Sequence, residues 1–220
     1  KQNWAGSRRR RWTAWSWVLG AAACLALIAN ISFFVANTEP KIVTITGMSG
    51  PVRWTGSGGR VFHDLRIGTK LSGGTVEGLT PGSWFELTFD DDSTITLSGN
   101  ATLTFADHGQ KTLYLKDGSL SSHVTAQPAG RPMLVYTRSA LLEVLGTQFD
   151  VEAELAATVL NVTEGEVRLK RLSDNTTVDV KASQRVVAAD DREMQPVSVP
   201  EAVGRWTSQL YLGPKGTYGK

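Results

Sequence analysis

Residues 84–97 read WFELTFDDDSTITL, and they contain the pattern that decides the fold. Phe85, Leu87 and Phe89 alternate with polar residues, and the same alternation returns after three consecutive aspartates. Because successive side chains of a β-strand point to opposite faces, this pattern predicts two strands that are each buried on one face. Asp and Ser favour tight turns, so the stretch predicts a β-hairpin with its turn at Asp90–Ser93.

The same alternation recurs along most of the chain after Pro40. Short turn signals rich in Gly, Asn and Asp separate the runs, and no stretch from 40 to 200 has the 3.6-residue apolar stripe of a long helix. Frequent strands without crossover helices predict an all-β domain over residues 40–189, an antiparallel two-sheet sandwich or β-roll. The further pairs of apolar positions are Ile95 and Leu97, Leu103 and Phe105, Leu113 and Leu115, Val167 and Leu169, and Val178 and Val180.

A different pattern precedes this region. No charged residue occurs from Trp12 to Thr38, and residues 12–36 are mostly apolar. About 20 apolar residues suffice for a helix to cross a bilayer, so residues 12–36 are predicted to be a transmembrane helix. Arg8–Arg11 directly precede it, and the positive-inside rule places residues 1–11 in the cytoplasm and exports everything after residue 36. We expect residues 1–11 to be the end of a longer cytoplasmic segment.

Two alternatives to a membrane anchor stay open. Ala21–Ala23 could be the cleavage site of a signal peptide, and Cys24 could then carry a lipid. However, the apolar run continues after Cys24 as LALIANISFFV, which is not the polar start of a mature exported protein. This continuation favours the membrane anchor.

The composition excludes several classes of protein. Residues 1–38 have a formal charge of +5, whereas the rest of the chain has 18 basic against 21 acidic residues. A nucleic-acid-binding domain would need basic residues on its folded part, so no nucleic-acid partner is expected. The single cysteine excludes a disulfide framework, and three histidines leave little material for a metal site.

No group of residues in the sequence has the pattern of a catalytic site or a metal site. Asp90–Asp92 lack the spacing of a calcium-binding loop and are interpreted as a solvated turn. His63–Asp64 and Asp107–His108 each have no third partner, and the sequence contains no GxSxG or HExxH motif. We therefore predict no catalytic residue, no cofactor-binding residue and no metal ligand, and we expect the chain not to be an enzyme.

The end of the chain contains features of another kind. Residues 190–220 mix charge, proline and late aromatics, and they are predicted to be a linker and the possible start of a further module. Trp54, Trp84 and Trp206 are candidates for stacking against a sugar ring, although packing in the core or at a sheet edge is the commoner role of a tryptophan.

Two motifs carry a resemblance to a known family. Gly146, Thr147, Phe149 and Val151 form a Gly-Thr-x-Phe-x-Val run, and a later strand ends in Glu-Gly-x-Val at residues 164–167. Together with the hairpin at 84–97, they occur in the order typical of the FecR-like domain, which residues 42–189 resemble. We expect the glycine to let the chain bend so that Phe149 and Val151 return to the core, with Thr147 facing outward.

The resemblance implies a function without a reactive site. FecR-like proteins are single-pass proteins of the bacterial cytoplasmic membrane whose exported domain senses or relays a signal and whose cytoplasmic end regulates an alternative sigma factor. The partners implied are a sigma factor inside and an envelope protein or glycan outside. The alternative is a membrane-tethered module that binds cell wall or carbohydrate without regulating a sigma factor.

Overall fold

The computed structural model describes residues 42–199, and in this range it contains sixteen β-strands and no helix. The predicted all-β class is confirmed for these residues, whereas the predicted membrane helix at 12–36 lies outside them. Nothing in residues 42–199 forms a helix that could span a bilayer. The strands are β1 (Val43–Ser49), β2 (Val52–Thr55), β3 (Val61–Phe62), β4 (Lys70–Leu71), β5 (Gly74–Gly78), β6 (Trp84–Phe89), β7 (Thr94–Asp107), β8 (Lys111–Val124), β9 (Met133–Tyr136), β10 (Ala140–Val144), β11 (Thr147–Ala153), β12 (Ala157–Glu164), β13 (Glu166–Arg171), β14 (Thr177–Lys181), β15 (Gln184–Ala189) and β16 (Val197–Ser198).

All of these strands belong to one continuous hydrogen-bonded sheet, which the two longest strands divide into two sections. The first half of β7 pairs with β6 and its second half pairs with β5, while β8 runs along both halves. The front section comprises β4, β1, β6, the first half of β7, the second half of β8, β11, β12, β15 and β16. The back section comprises β3, β2, β5, the remaining halves of β7 and β8, β9, β10, β13 and β14.

The β7–β8 hairpin changes section at an irregular point in its register, between Ser98 and Thr102. Gly118 of β8 lies opposite this point with a φ of 99°. A Cβ atom on Gly118 would lie only 2.6 Å from the Cβ atom of Ala101. Glycine therefore lets the two strands approach each other while both of them bend.

One strand pair departs from the predicted antiparallel sheet. β8 and β9 are parallel, with Tyr114 opposite Tyr136, whereas every other pair within residues 42–199 is antiparallel. A parallel neighbour needs a crossover connection. Because β8 bends, a short crossover connection is sufficient. β8 ends in the front section, and residues 125–132 lead to β9, which lies beside the first half of β8 in the back section.

The inward-facing side chains of both sections form one hydrophobic cluster. The predicted alternation is confirmed, since the apolar positions named above are buried or, at Val178, packed against this cluster. Phe85, Phe105 and Phe149 are the largest of the fully buried side chains, each only 1% exposed. Full burial of such a side chain is worth about 1.5–3 kcal/mol, so the cluster holds the two sections together.

The chain continues to contact this core after β15. Met194 is buried, and β16 pairs with the start of β15. The guanidinium of Arg171 donates hydrogen bonds to the carbonyl oxygens of Ala189 at 2.6 Å and Arg192 at 2.7 Å. The first part of the segment predicted as a linker thus lies on the domain up to Val199, and residues 200–220 are outside the described range.

Candidate functional site at the proximal end of the domain

The chain enters and leaves the domain at the same end. Val43, the first residue of β1, lies opposite Phe89 at the end of β6. The β6–β7 turn lies at this end of the sheet, and the strand register carries the same end across β8, β11 and β12 to the start of β15. There the carbonyl oxygen of Ser183 accepts a 2.9 Å hydrogen bond from Val199 N. We call this the proximal end. A change in its shape would affect both the first and the last strand of the described range.

Asp91, in the β6–β7 turn, is the centre of a polar network at the proximal end. Its Oδ2 atom accepts hydrogen bonds from Lys111 Nζ at 2.7 Å and from Gln127 Nε2 at 2.8 Å. Its Oδ1 atom accepts one from Ser93 N at 3.2 Å. Lys111 Nζ also donates to Gln127 Oε1 at 3.1 Å. Asp91, Lys111 and Gln127 therefore form a closed ring of hydrogen bonds, which we call the clasp.

The clasp joins the two sections of the sheet. Asp91 follows β6 of the front section, and Lys111 begins β8 in the back section, at the far end of the hairpin from the β6–β7 turn. Because the β7–β8 hairpin bends, its far end returns to the β6–β7 turn. The clasp therefore connects the front and back sections by side-chain hydrogen bonds. Lys111 Nζ also lies 5.8 Å from the ring centroid of Phe89, the residue that pairs with Val43. The clasp thus contacts the strand pair through which the chain enters.

Two hydroxyl groups fix the backbone of the same turn. Thr125 Oγ1 donates to the carbonyl oxygen of Asp91 at 2.9 Å, and Thr125 N donates to Ser93 Oγ at 3.2 Å. Ser93 is fully buried. The predicted hairpin turn is present, but its interpretation as a solvated turn is wrong for Asp91, because this side chain is only 32% exposed and is paired.

The hydrogen bonds to Asp91 stabilise its ionised form. Partial burial disfavours the ionised form, but the hydrogen bonds from Lys111, Gln127 and Ser93 outweigh that effect, so the pKa of the Asp91 carboxyl lies below its usual range. A carboxyl whose pKa is lower in the folded than in the unfolded state stabilises the fold above its unfolded pKa, about 3.9 for aspartate. That stabilisation is lost as the pH falls through the folded pKa.

Replacing Asp91 by asparagine is expected to lower the free energy of unfolding of a fragment spanning residues 40–200 by about 1.5–3 kcal/mol at pH 7, the usual contribution of hydrogen bonds to a charged group. The difference from the wild type should shrink as the pH is lowered below about 4, because the unfolded wild type then binds a proton that the folded form binds only at still lower pH. Urea unfolding at several pH values measures this difference in the free energy of unfolding. The matched control is Asp90→Asn at the exposed neighbouring position, and equal effects of the two substitutions at pH 7 would contradict the clasp.

The two glycine-containing motifs, at residues 146–151 and 164–167, meet beside the β6–β7 turn. Thr147 Oγ1 at the start of β11 donates to the carbonyl oxygen of Glu166 at 3.1 Å. Gly165, between β12 and β13, has a φ of 81°, and a Cβ atom there would lie 2.8 Å from the carbonyl oxygen of Gly146. Phe149 returns to the core as predicted, but the outward orientation predicted for Thr147 is wrong, since Thr147 is 4% exposed. The buried hydroxyl is satisfied by the carbonyl oxygen at the start of β13.

The other sequence candidates are separate from one another. His63, Asp64 and His108 are exposed, and Asp107 Oδ1 accepts a 2.8 Å hydrogen bond from Gly109 N within a turn. Within residues 42–199 there is no group of three His, Cys, Asp or Glu side chains that could hold a metal ion. Asp90 and Asp92 are exposed on either side of Asp91.

The tryptophans in the described range have structural partners. Trp54 stacks on Phe62 with ring centroids 4.9 Å apart, and its Nε1 donates to the carbonyl oxygen of Gly73 at 2.9 Å. Trp84 covers Gly47, where a Cβ atom would lie 2.8 Å from the indole ring. Trp206 lies outside residues 42–199.

The outward face of the front section carries a row of polar side chains. Ser121 donates a 2.5 Å hydrogen bond to Asp150 Oδ1 in the middle of this face. Burial raises the pKa of the Asp150 carboxyl, and the hydrogen bond from Ser121 opposes this rise in part. One row of adjacent side chains crosses the face and consists of Glu86, Thr96, Ser121, Asp150, Asn161 and Arg185. Such a row can exchange hydrogen bonds with a polar ligand.

The clasp is not visible in the sequence pattern. Lys111 and Gln127 lie 20 and 36 residues from Asp91 along the chain. No local spacing rule connects positions so far apart. Only the bend in the β7–β8 hairpin brings Lys111 to Asp91.

The family described as FecR protein matches residues 78–168. This segment contains the whole clasp and both glycine-containing motifs. No curated protein sequence is significantly similar to the chain.

The fold is similar to that of two crystal structures, each described as a proposed anti-sigma factor from Parabacteroides distasonis. The first is 16% identical with a TM-score of 0.53, covering 60% of this chain and 63% of that one. The second is 17% identical with a TM-score of 0.51, covering 58% of this chain and 62% of that one. The chain thus spans less than two thirds of either structure, and at this identity the likeness shows a shared fold.

Proposed function

We propose that the chain belongs to a single-pass envelope regulator that relays a signal to an alternative sigma factor, because its residues 78–168 match the family described as FecR protein. The observation that carries the proposal is the family match over residues 78–168, which contain the clasp. The likeness to structures described as proposed anti-sigma factors supports the same role. In this proposal residues 40–189 form the all-β domain, whose single bent sheet takes the place of the two predicted sheets, and residues 190–220 lead toward a further module.

The proposed arrangement places the domain outside the bacterial cytoplasmic membrane. Residues 12–36 are the membrane helix, residues 1–11 are cytoplasmic, and everything after residue 36 is exported, as the arginines before the apolar run indicate. The partners are a sigma factor on the inside and an envelope protein or glycan on the outside. The regulator acts through binding surfaces, without catalysis or a cofactor.

The relay runs through the proximal end. An external partner that opens or tightens the clasp changes the β1–β6 pair at Val43 and Phe89. Only residues 37–42 separate β1 from the predicted helix, and Pro40 restricts their conformations. A movement of β1 therefore reaches the helix with little slack to absorb it.

Inserting ten Gly/Ser residues after Thr38 is expected to uncouple the domain from the cytoplasm, because such a linker behaves as a random coil. The full-length protein with the insertion should give the same genome-wide transcript profile as a protein that lacks residues 42–199. Both are compared with the wild type at equal membrane levels.

The matched control is the same insertion after Gly58, in an exposed turn where a Cβ atom would have no neighbour within 4 Å. This variant should keep the wild-type profile. A wild-type profile from the Thr38 insertion would rule out stiff coupling.

The alternative function is a membrane-tethered module that binds cell wall or carbohydrate. The polar row on the front section, with Asp150 and Ser121 at its centre, favours it. Under this alternative, deleting residues 42–199 would abolish retention of the protein on isolated cell wall and leave transcripts unchanged.

A further inference from the structure

The last ten described residues run back along the last long strand of the front section. β15 extends from Gln184 at the proximal end to Ala189 at the opposite end, which we call the distal end. The chain then reverses, and β16 pairs antiparallel with the start of β15, so that Val199 lies at the proximal end again. We call residues 190–199 the strap. In its docked position the strap makes the chain leave the domain at the proximal end.

Arg171, at the end of β13 in the back section, binds the distal part of the strap. Its Nη1 atom donates to the carbonyl oxygen of Ala189 at 2.6 Å and to that of Arg192 at 2.7 Å. Its Nε and Nη2 atoms donate to the two carboxylate oxygens of Asp174, which fixes the plane of the guanidinium. The side chain of Arg171 is only 11% exposed. The turn of the chain after β15 is therefore fixed by one side chain from another strand.

The other attachments of the strap are few. Asp190 Oδ1 accepts a 2.7 Å hydrogen bond from Ser173 Oγ. Met194 is 4% exposed and belongs to the hydrophobic cluster, and it is the one buried side chain of the strap. At the proximal end β16 contributes two residue pairs to the edge of β15, and both of its side chains are exposed.

These attachments predict that the strap separates from the domain more readily than the domain unfolds. A segment with few buried contacts opens at a lower free-energy cost than a whole domain. The cluster keeps the inward side chains of both sections when Met194 leaves it. β15 keeps its six-residue ladder with β12 on the side away from the strap. The sheet can therefore stay folded without the strap.

We propose that the strap is a releasable switch, with Arg171 as its latch, that moves the exit point of the chain from the proximal end to the distal end. After release the chain leaves the domain at Ala189. The ten residues of the strap then span up to about 33 Å when extended. This exceeds the length of β15, roughly 20 Å for its six residues. The chain after residue 199 starts at the proximal end in the docked state, and it can start well beyond the distal end in the released state.

A partner that binds the chain after residue 199 and draws it away from the proximal end favours the released state, because it binds that state more tightly. The switch is a property of residues 42–199 and does not depend on a sigma-factor role. It can therefore be tested separately from the proposed function.

The first test is hydrogen exchange, followed by mass spectrometry, on the full-length chain in isolated membranes. In the wild type the amides of β16 should exchange at least about tenfold faster than those of β12, because they exchange through local opening. Met194→Ala and Arg171→Gln should each accelerate exchange in β16 at least about tenfold further and leave β12 unchanged, since each removes an attachment of the strap. The matched control is Arg168→Gln on the same strand, where Arg168 is exposed and bonds Asp179 of β14 at 2.9 Å.

The second test measures the movement of the exit point. Cys24→Ser removes the single cysteine, and spin labels are attached at Leu155→Cys and Ser198→Cys. Leu155 is 80% exposed in the β11–β12 turn at the distal end, and Ser198 pairs with Gln184 at the proximal end. The labels should show one narrow distance distribution in the wild type, and Arg171→Gln should add a broad second one.

Three results would overturn the proposal. Equal exchange rates in β16 and β12 of the wild type would mean that the strap opens only with the whole domain. Exchange in β16 that neither Arg171→Gln nor Met194→Ala accelerates beyond the Arg168→Gln control would mean that these side chains do not retain it. A distance distribution that Arg171→Gln leaves unchanged would mean that the exit point does not move.

Discussion

Replacing Phe149 by alanine is expected to lower the free energy of unfolding of residues 40–200 by about 3–5 kcal/mol, the usual cost of removing a buried phenylalanine ring. The side chain is only 1% exposed and belongs to the cluster between the two sections of the sheet. A large cavity would remain because β11 pairs on both sides, with β8 and β12, and cannot collapse into the space.

Equilibrium unfolding in urea measures the effect of Phe149→Ala. The matched control is Leu145→Ala, two residues before β11, because Leu145 is 56% exposed and its loss should change stability by no more than about 0.5 kcal/mol. Similar losses for the two variants would mean that the core is not placed as described.

Replacing Gly165 by alanine is expected to lower the free energy of unfolding by about 3 kcal/mol, through two separate causes. The φ of 81° costs any other residue about 1–2 kcal/mol. In addition, the new Cβ atom would lie 2.8 Å from the carbonyl oxygen of Gly146, so the contact between the two motifs must open.

Gly109→Ala separates these two causes. Gly109 has a φ of 87°, and a Cβ atom there would meet nothing within 4 Å. Its replacement should therefore cost only about 1–2 kcal/mol, the contribution of the backbone conformation. If Gly165→Ala costs no more than Gly109→Ala, the two motifs do not press on each other at the proximal end.

Much of the fold follows from local pattern. The alternation at Phe85, Leu87 and Phe89 predicts the strand, its buried face and the turn after it, because these depend on neighbouring residues alone. The same holds for the return of Phe149 to the core. The all-β class needs no more information than this periodicity.

The features that the sequence did not predict depend on distant residues. The parallel β8–β9 pair exists because β8 bends at Gly118, and alternation does not show whether a later strand returns to the same section. The clasp requires that bend before Lys111 can meet Asp91. Thr147 is buried with its hydroxyl bonded to Glu166, a contact between the starts of two strands that no period-two pattern contains.

The proposed function requires that residues 42–199 influence transcription inside the cell. Genome-wide transcript measurement in cells with the full-length protein, without it, and with a form lacking residues 42–199 tests this claim directly. We expect loss of the protein to change a group of genes that share one promoter sequence recognised by an alternative sigma factor. The form lacking residues 42–199 should fail to restore the wild-type levels of that group. If no such group changes in either strain, the sigma-regulatory role is contradicted.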